Sequence, residues 1–444
     1  MIHPKTTTLV KFLLLALSIC LFSCKSGSVN LFKPSSPHEE YQRKLSSAGL
    51  DKTAMGTAWN TIADQSLQKA LSITLPFKAS GYFAAEQVPA VAYRFSVTRG
   101  QMVKVSLIKN PAHQFMIYTD IWEEHSGTSP RLVASADTLG NPIEFEAGLT
   151  GNYLIRLQPE LLRNGEYTIE INTGPSLAFP VKSGKANSIQ SFFGDGRDAN
   201  SRKHEGIDIF GPRLSPVIAI ANGTVTRVNQ NNLGGNVVWM RPSGKDYTLY
   251  YAHLDQQIAV EGQQVSIGDT LGLMGNTGNA RTTSPHLHFG IYGSDGAIDP
   301  FPFVNPSVKL PEKITASLKQ LNATVRTIKK TSLYHSPSDS APEVKTLTAG
   351  TVLRVSAASG TWYQIALPDG NIGFIQSKSV TATTKPLRKL KINLSQQNVF
   401  DAPNNLAAIK FKLTEGSTAG LLGDFGGYHL IIAEDQQTGW VPAF

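Results

Sequence analysis

The chain has 444 residues, 41% of them hydrophobic and 17% charged, a composition that excludes wholesale disorder in a chain too long for one core. Three or four domains are expected. The formal net charge is +8, yet lysines and arginines are scattered and no run of them alternates with aromatics, which argues against a nucleic-acid binder. The densest basic stretch, KPLRKLKI from Lys385 to Ile392, reads as a solvated linker between two C-terminal units. A weak general attraction to polyanionic envelope material fits the overall charge.

Lys5 and Lys11 precede an apolar run from Phe12 to Phe22, too short to span a bilayer, and then come Ser23 and Cys24. That order of basic, apolar and small residues is the pattern of a secretory signal. The stretch LFSC resembles a bacterial lipobox. The resemblance implies that residues 1–23 are removed and that Cys24 carries lipid, giving a membrane-anchored lipoprotein of the cell envelope. Outer-membrane placement, facing the periplasm, is the expectation by analogy; the alternative is a plain secretory signal with an incidental cysteine. The chain has only Cys20 and Cys24, so a mature lipoprotein would keep no thiol for a disulfide or a metal. Any metal must be held by His, Asp or Glu.

Residues 24–74 read as a polar tether, KSGSVNLFKPSSPH, followed by a short, weakly helical segment from about Glu39 to Ala70. Apolar residues then alternate with polar ones at Tyr93, Phe95 and Val97, at Val103, Val105 and Leu107, at Tyr153, Ile155 and Leu157, and at Tyr167, Ile169 and Ile171. Period-two alternation between Gly/Asn turns predicts an antiparallel β-sandwich over residues 75–173. It resembles the small sandwich often attached to secreted bacterial peptidases. His113 and His125 are expected on its surface.

Residues 176–305 also read as β, with four histidines: His204, His253, His286 and His288. Side chains two apart on a strand face the same way, so His286 and His288 project from one face with Leu287 turned inward. His204 and Asp208, four apart, are also able to share a face. Two imidazoles and a carboxylate suit Zn²⁺ and leave a fourth position open, as a catalytic site requires. A non-haem iron site uses the same donor types.

The motifs HEGID, YAHL, GLMGNTG and PHLHF, in that order, resemble the lysostaphin-type (LytM-like) zinc endopeptidases of peptidoglycan, as do GGNVVW and GQQVSIGDTLG. The resemblance covers about 125 residues. It implies that His204, Asp208 and His288 ligate one Zn²⁺, while His253 and His286 handle protons and steady the transition state. Which of the two is the base stays open. Glu205, an immediate neighbour of His204, should face away from the site, and Asp195 and Asp198 in GDGRD read as turn residues. LSPV and NARTTSPHLHF depart from the family's usual GTPV and TGPHLHF, changes that fall on loops lining the groove.

The C-terminal part repeats at an offset of 66 residues: Pro337 matches Pro403, Gly350 Gly416, Trp362 Tyr428, Ile365 Ile431 and Phe374 Trp440. Recurrence without a gap means two copies of one unit. GTWYQIALPDGNIGFIQ and GWVPAF resemble bacterial SH3-like domains, placed at 321–382 and 391–444. Such barrels either bind wall peptides or shape and cover a neighbouring cleft. The expected fold is all-β and multidomain: a sandwich, a lysostaphin-type catalytic domain with an open groove, and two small SH3-like barrels. The expected function is zinc-dependent hydrolysis of peptide cross-links in peptidoglycan during wall remodelling. The alternative is a non-catalytic, wall-binding activator of an amidase, but such relatives lack zinc ligands and this chain has all three.

Overall fold

The computed structural model describes residues 35–443 except 183 and 198; the expected signal and the Cys24 lipid site lie outside the described residues. Helix α1 (Pro37–Ser47) starts at a capping box, in which Ser36 Oγ accepts from the Glu39 amide and the Ser36 amide donates to Glu39 Oε2. Helix α2 (Ala54–Gln68) is capped by Thr53, whose Oγ1 accepts from the Gly56 amide. Neither helix is a loose extension. Trp59 is 1% exposed and its Nε1 donates to the Pro159 carbonyl, while His38 stacks on Trp59 and meets Gln158 Oε1 at 2.7 Å. The helical reading of Glu39–Ala70 is met by these two helices, and the tether reading fails only at its end, Pro37 and His38, because an aromatic cluster of His38, Tyr41, Trp59 and Tyr118 pins the helices to the sandwich. No described helix is long and apolar enough to cross a membrane.

The sandwich packs a five-stranded sheet against the strands Phe77–Phe83, Gly165–Pro175, Gln101–Asn110 and Ile143–Glu146. The alternating residues read from the sequence form its core, with Leu107 only partly buried. Its second sheet does not end at the domain. Phe77–Phe83 pairs antiparallel with Val352–Ser359, with Ser80 opposite Ala358 and Gly81 opposite Ala357. Trp362 and Phe374 enter the sandwich core, and the buried Tyr93 hydroxyl donates to Gln364 Oε1 at 2.8 Å.

The C-terminal repeat is realised strand for strand. Val352–Ser359, Trp362–Ala366 and Ile372–Gln376 recur as Thr418–Phe425, Tyr428–Ile432 and Thr438–Pro442, each at the offset of 66. The second copy docks on the first: Arg326 Nη1 donates to the Leu422 carbonyl at 2.8 Å, Thr351 bridges to Asp424, and Val352 packs with Leu422, Leu430 and Trp440. The stretch around KPLRKLKI is not a solvated linker. Arg388–Lys391 is a strand paired with Thr418–Leu421; Leu390 and Ile392 are buried while the intervening cations face solvent. Period-two alternation inside a basic run was the signal for it.

Five strands carry the remaining domain: β1 (Ile207–Phe210), β2 (Gly223–Asn231), β3 (Gly235–Pro242), β4 (Thr248–Gln257) and β5 (His286–Gly293). They lie in the order β1-β5-β4-β3-β2, all antiparallel. One face is core, built from Ile207, Ile209, Val238, Met240, Tyr251, Leu287, Phe289 and Ile291. The opposite face carries the chemistry. This domain rests on the sandwich through Lys245 Nζ, which donates to Glu146 Oε2 at 2.8 Å, and through Phe303. A Cβ on Gly100, at φ 89°, would stand 2.2 Å from the Phe303 ring, so the contact requires glycine.

Candidate metal centre

Strands β1 and β5 are neighbours, and their register sets Asp208 opposite His288 and Phe210 opposite His286. With Leu287 in the core, both histidines of HLH stand on the open face beside Asp208. His204 arrives from the turn before β1, where its amide donates to the Asp195 carbonyl and its carbonyl accepts from the Gly194 amide, each at 2.8 Å. Asp195 is a turn residue as expected: its Oδ2 accepts from the Phe192 amide at 2.7 Å. Asp198 lies outside the described residues.

Three donor atoms converge. His204 Nε2 is 2.9 Å from His288 Nδ1, and Asp208 Oδ1 is 3.0 Å from each. The other His204 nitrogen, Nδ1–H, donates to the Phe192 carbonyl at 2.9 Å, which leaves the Nε2 lone pair directed at the cluster. Lone pairs so close repel unless a proton or a cation lies among them. Tetrahedral ligands at zinc distances stand roughly 3.3 Å apart, so about 0.3 Å of opening would admit the ion. The backbone is packed against this geometry: a Cβ on Gly206 would meet the Phe289 carbonyl oxygen at 2.5 Å and the His288 ring at 2.8 Å. Two nitrogens and one carboxylate oxygen are a donor set that fits Zn²⁺.

Burial opposes ionisation of Asp208, yet when protons rather than a metal ion lie among the three donors, hydrogen bonds and charge from His204 and His288 hold its carboxyl far below the usual range. Burial lowers His288, with Asp208 pulling the other way. Sequence reading missed Arg197. Its Nη2 donates to Asp208 Oδ2 at 2.7 Å and to Ser191 Oγ at 2.6 Å, so the carboxylate is anchored through one oxygen while the other faces the histidines.

His253 and His286 complete the cluster, with ring centroids 4.9 Å apart and His253 5.8 Å from His288. Plain alternation on β4 would send His253 into the core. A bulge prevents this: Asn236 opposes Leu254 while Val238 opposes Tyr251, and His253 takes φ 61°. Its Nδ1–H donates to the Thr277 carbonyl at 2.8 Å, and that of His286 to the Ser284 carbonyl at 2.9 Å. Each ring is thereby left with Nε2 free. Burial, then the neighbouring His286 and His288, lowers His253 to about 4. Glu205 is exposed and reaches the Tyr292 hydroxyl at 3.4 Å, away from the three donors. In the sandwich, His113 is exposed; His125 is half-buried, with Nε2 3.1 Å from Glu123 Oε2.

All five site residues named from the sequence thus meet in one place. Arg197, Tyr250, Trp239 and Tyr292 were not singled out. Alternation in NVVWM and TLYYAHL puts Trp239 and Tyr250 on the histidine face, and that signal was available.

Residues 202–300 match the model of peptidase family M23. The chain is 36% identical over 88 residues to the peptidoglycan DD-endopeptidase ShyC of Vibrio cholerae, covering 20% of each protein. It is 34% identical over 137 residues to the L-Ala–D-Glu endopeptidase of Bacillus subtilis, covering 28% of this chain and 42% of that one. It is 36% identical over 110 residues to the uncharacterized lipoprotein YgeR of Escherichia coli, covering 24% of this chain and 42% of that one. The chain thus spans well under half the length of these relatives.

Proposed function

Because the chain carries a peptidase family M23 domain, we propose that it hydrolyses peptide bonds of peptidoglycan, using one Zn²⁺ held by His204, Asp208 and His288. The observation that carries this reading is the convergence of three lone-pair donors beside two histidines whose Nδ1 atoms are both committed to carbonyls. Bound zinc supplies Lewis acidity toward a carbonyl and makes water a nucleophile near neutral pH. His253, kept neutral by burial, accepts the proton of the attacking water through Nε2 and returns it to the leaving amine. His286, when protonated, donates from Nε2 toward the developing oxyanion. Asp208, fixed by Arg197 through Oδ2, keeps Oδ1 toward the two imidazoles with which it would hold the ion.

The two relatives named as endopeptidases differ in the bond their names give; we favour the D-amino-acid cross-link, the bond class in the name of the Vibrio cholerae enzyme. Likeness to a lipoprotein and the LFSC stretch support an envelope protein anchored through lipid on Cys24, placed at the outer membrane. The two C-terminal units are read as SH3-like wall-binding modules. A non-catalytic amidase activator would need none of the five converging side chains.

The test is mass spectrometry of muropeptides released from purified peptidoglycan by the chain without residues 1–24. It is run with zinc, with chelator and with His288→Ala. Zinc-dependent loss of cross-linked dimers, abolished by the substitution, is expected. Intact dimers under all three conditions would overturn the hydrolase and leave the activator.

A further inference from the structure

The face that bears the metal ligands continues across the sheet to a second, unassigned pocket. Register places Gly290, Tyr250, Trp239 and Arg227 in one row across β5, β4, β3 and β2, and the next row holds Tyr292, Thr248, Arg241 and Thr224. The floor between is aromatic and unbroken: Tyr250 lies 5.9 Å from the His288 ring, Trp239 4.3 Å from Tyr250, and Tyr292 5.7 Å from Trp239. Beyond it opens a cavity of about 490 Å³ lined by Arg227, Trp239, Arg241, Asp246, Thr248 and Tyr292.

Charge sets what enters. Arg227 and Arg241 are both exposed and neither joins an ion pair among the described residues. A third guanidinium comes from the sandwich: Arg99 Nη2 is 3.8 Å from where a Cβ on Gly293, a residue of the pocket wall, would stand. Against these stands one lining acid, Asp246. Planar guanidinium groups over aromatic rings suit a carboxylate carried on an extended peptide.

We propose that this pocket is a substrate subsite that binds a carboxylate of the peptide being cleaved. The inference rests on the hydrolase reading and specifies its substrate. Three strand spacings across and two residues along put Arg227 roughly 16 Å from His288, and two across with four along give about the same for Arg241. An extended chain covers about 3.4 Å per residue. Allowing for the arginine side chains, the recognised carboxylate sits about three to four residues from the scissile bond. A cross-linked stem peptide carries free carboxylates at that range; a neutral bridge does not.

The test compares two synthetic cross-linked stem peptides, one with free carboxyls and one with every carboxyl amidated. Binding of each to the full chain is measured by calorimetry, and cleavage of each by chromatography. Tighter binding of the free-carboxyl peptide by about five- to tenfold is expected, shrinking as salt is raised. Arg227→Gln with Arg241→Gln should bring the ratio to near one. Equal binding by the parent, a preference that survives the double substitution, or a loss that falls equally on both peptides overturns the subsite. A preference erased by the substitutions while the parent cleaves neither peptide supports the subsite and overturns the hydrolase. Cleavage of both peptides with no preference does the reverse.

Discussion

Asp208 and His288 stand directly opposite each other on adjacent antiparallel strands, with Oδ1 and Nδ1 3.0 Å apart. The candidate metal centre is thus partly a consequence of sheet register, which only the folded chain provides. Zinc should therefore stabilise the fold by mass action, by about 2.7 kcal/mol at a free concentration one hundred times its dissociation constant. In differential scanning calorimetry, zinc should raise the Tm of the parent and leave that of His288→Ala unmoved. An equal rise in both would place the ion elsewhere.

Arg197 holds the second Asp208 oxygen and touches no other donor of the cluster. Partners of this kind typically alter metal affinity by about 10- to 100-fold. Arg197→Ala should weaken zinc binding by that order in a competition titration against a chelating dye, with the far-ultraviolet circular dichroism unchanged. Arg197→Lys, which keeps the charge but not the fork, should recover only part of the loss.

His38 makes the packing of α1 sensitive to acid. Burial and the charge of Arg156 lower it from 6.5 to about 4, against the opposing pull of Gln158, Asp120 and Glu39. Between those values the unfolded chain binds a proton that the folded chain refuses. Stability from this group is therefore complete above about pH 6.5 and is lost as pH falls toward 4. Urea midpoints at pH 7 and pH 4.5 should differ less for His38→Gln than for the parent. An unchanged difference would remove His38 as the cause.

Trp362 belongs to the first C-terminal unit by sequence and to the sandwich core by packing. Trp362→Ala should cost about 3–5 kcal/mol. The loss should appear in the unfolding of both regions together, read by hydrogen exchange at Ile155 and Ile365. Destabilisation confined to residues 324–382 would show that the two fold separately.

The site was legible because its spacing is local: HxH on a strand and HxxxD before one need only period two. The sandwich core was legible for the same reason, through Tyr93, Tyr153 and Ile169. What escaped depends on contacts between distant segments. Arg197 acquires meaning only when its hairpin, with Arg197 opposite Arg202, folds beside β1. His253 reaches the open face only through a bulge that no residue in YAHL announces. His38 looked like part of a polar tether, and its burial depends on Trp59 and Gln158.

Val352–Ser359 pairs antiparallel with a sandwich strand, whereas Thr418–Phe425 meets the first copy through the isolated Thr351–Asp424 bridge and the packing of Leu422 on Val352. The two contacts join different surfaces, so the copies share their strands but not what receives them. The difference is written in side chains. At the offset of 66, Arg326, which receives the second copy by donating to Leu422, corresponds to Ile392, buried in the core of the second copy. The second copy thus lacks the arginine by which the first receives its neighbour.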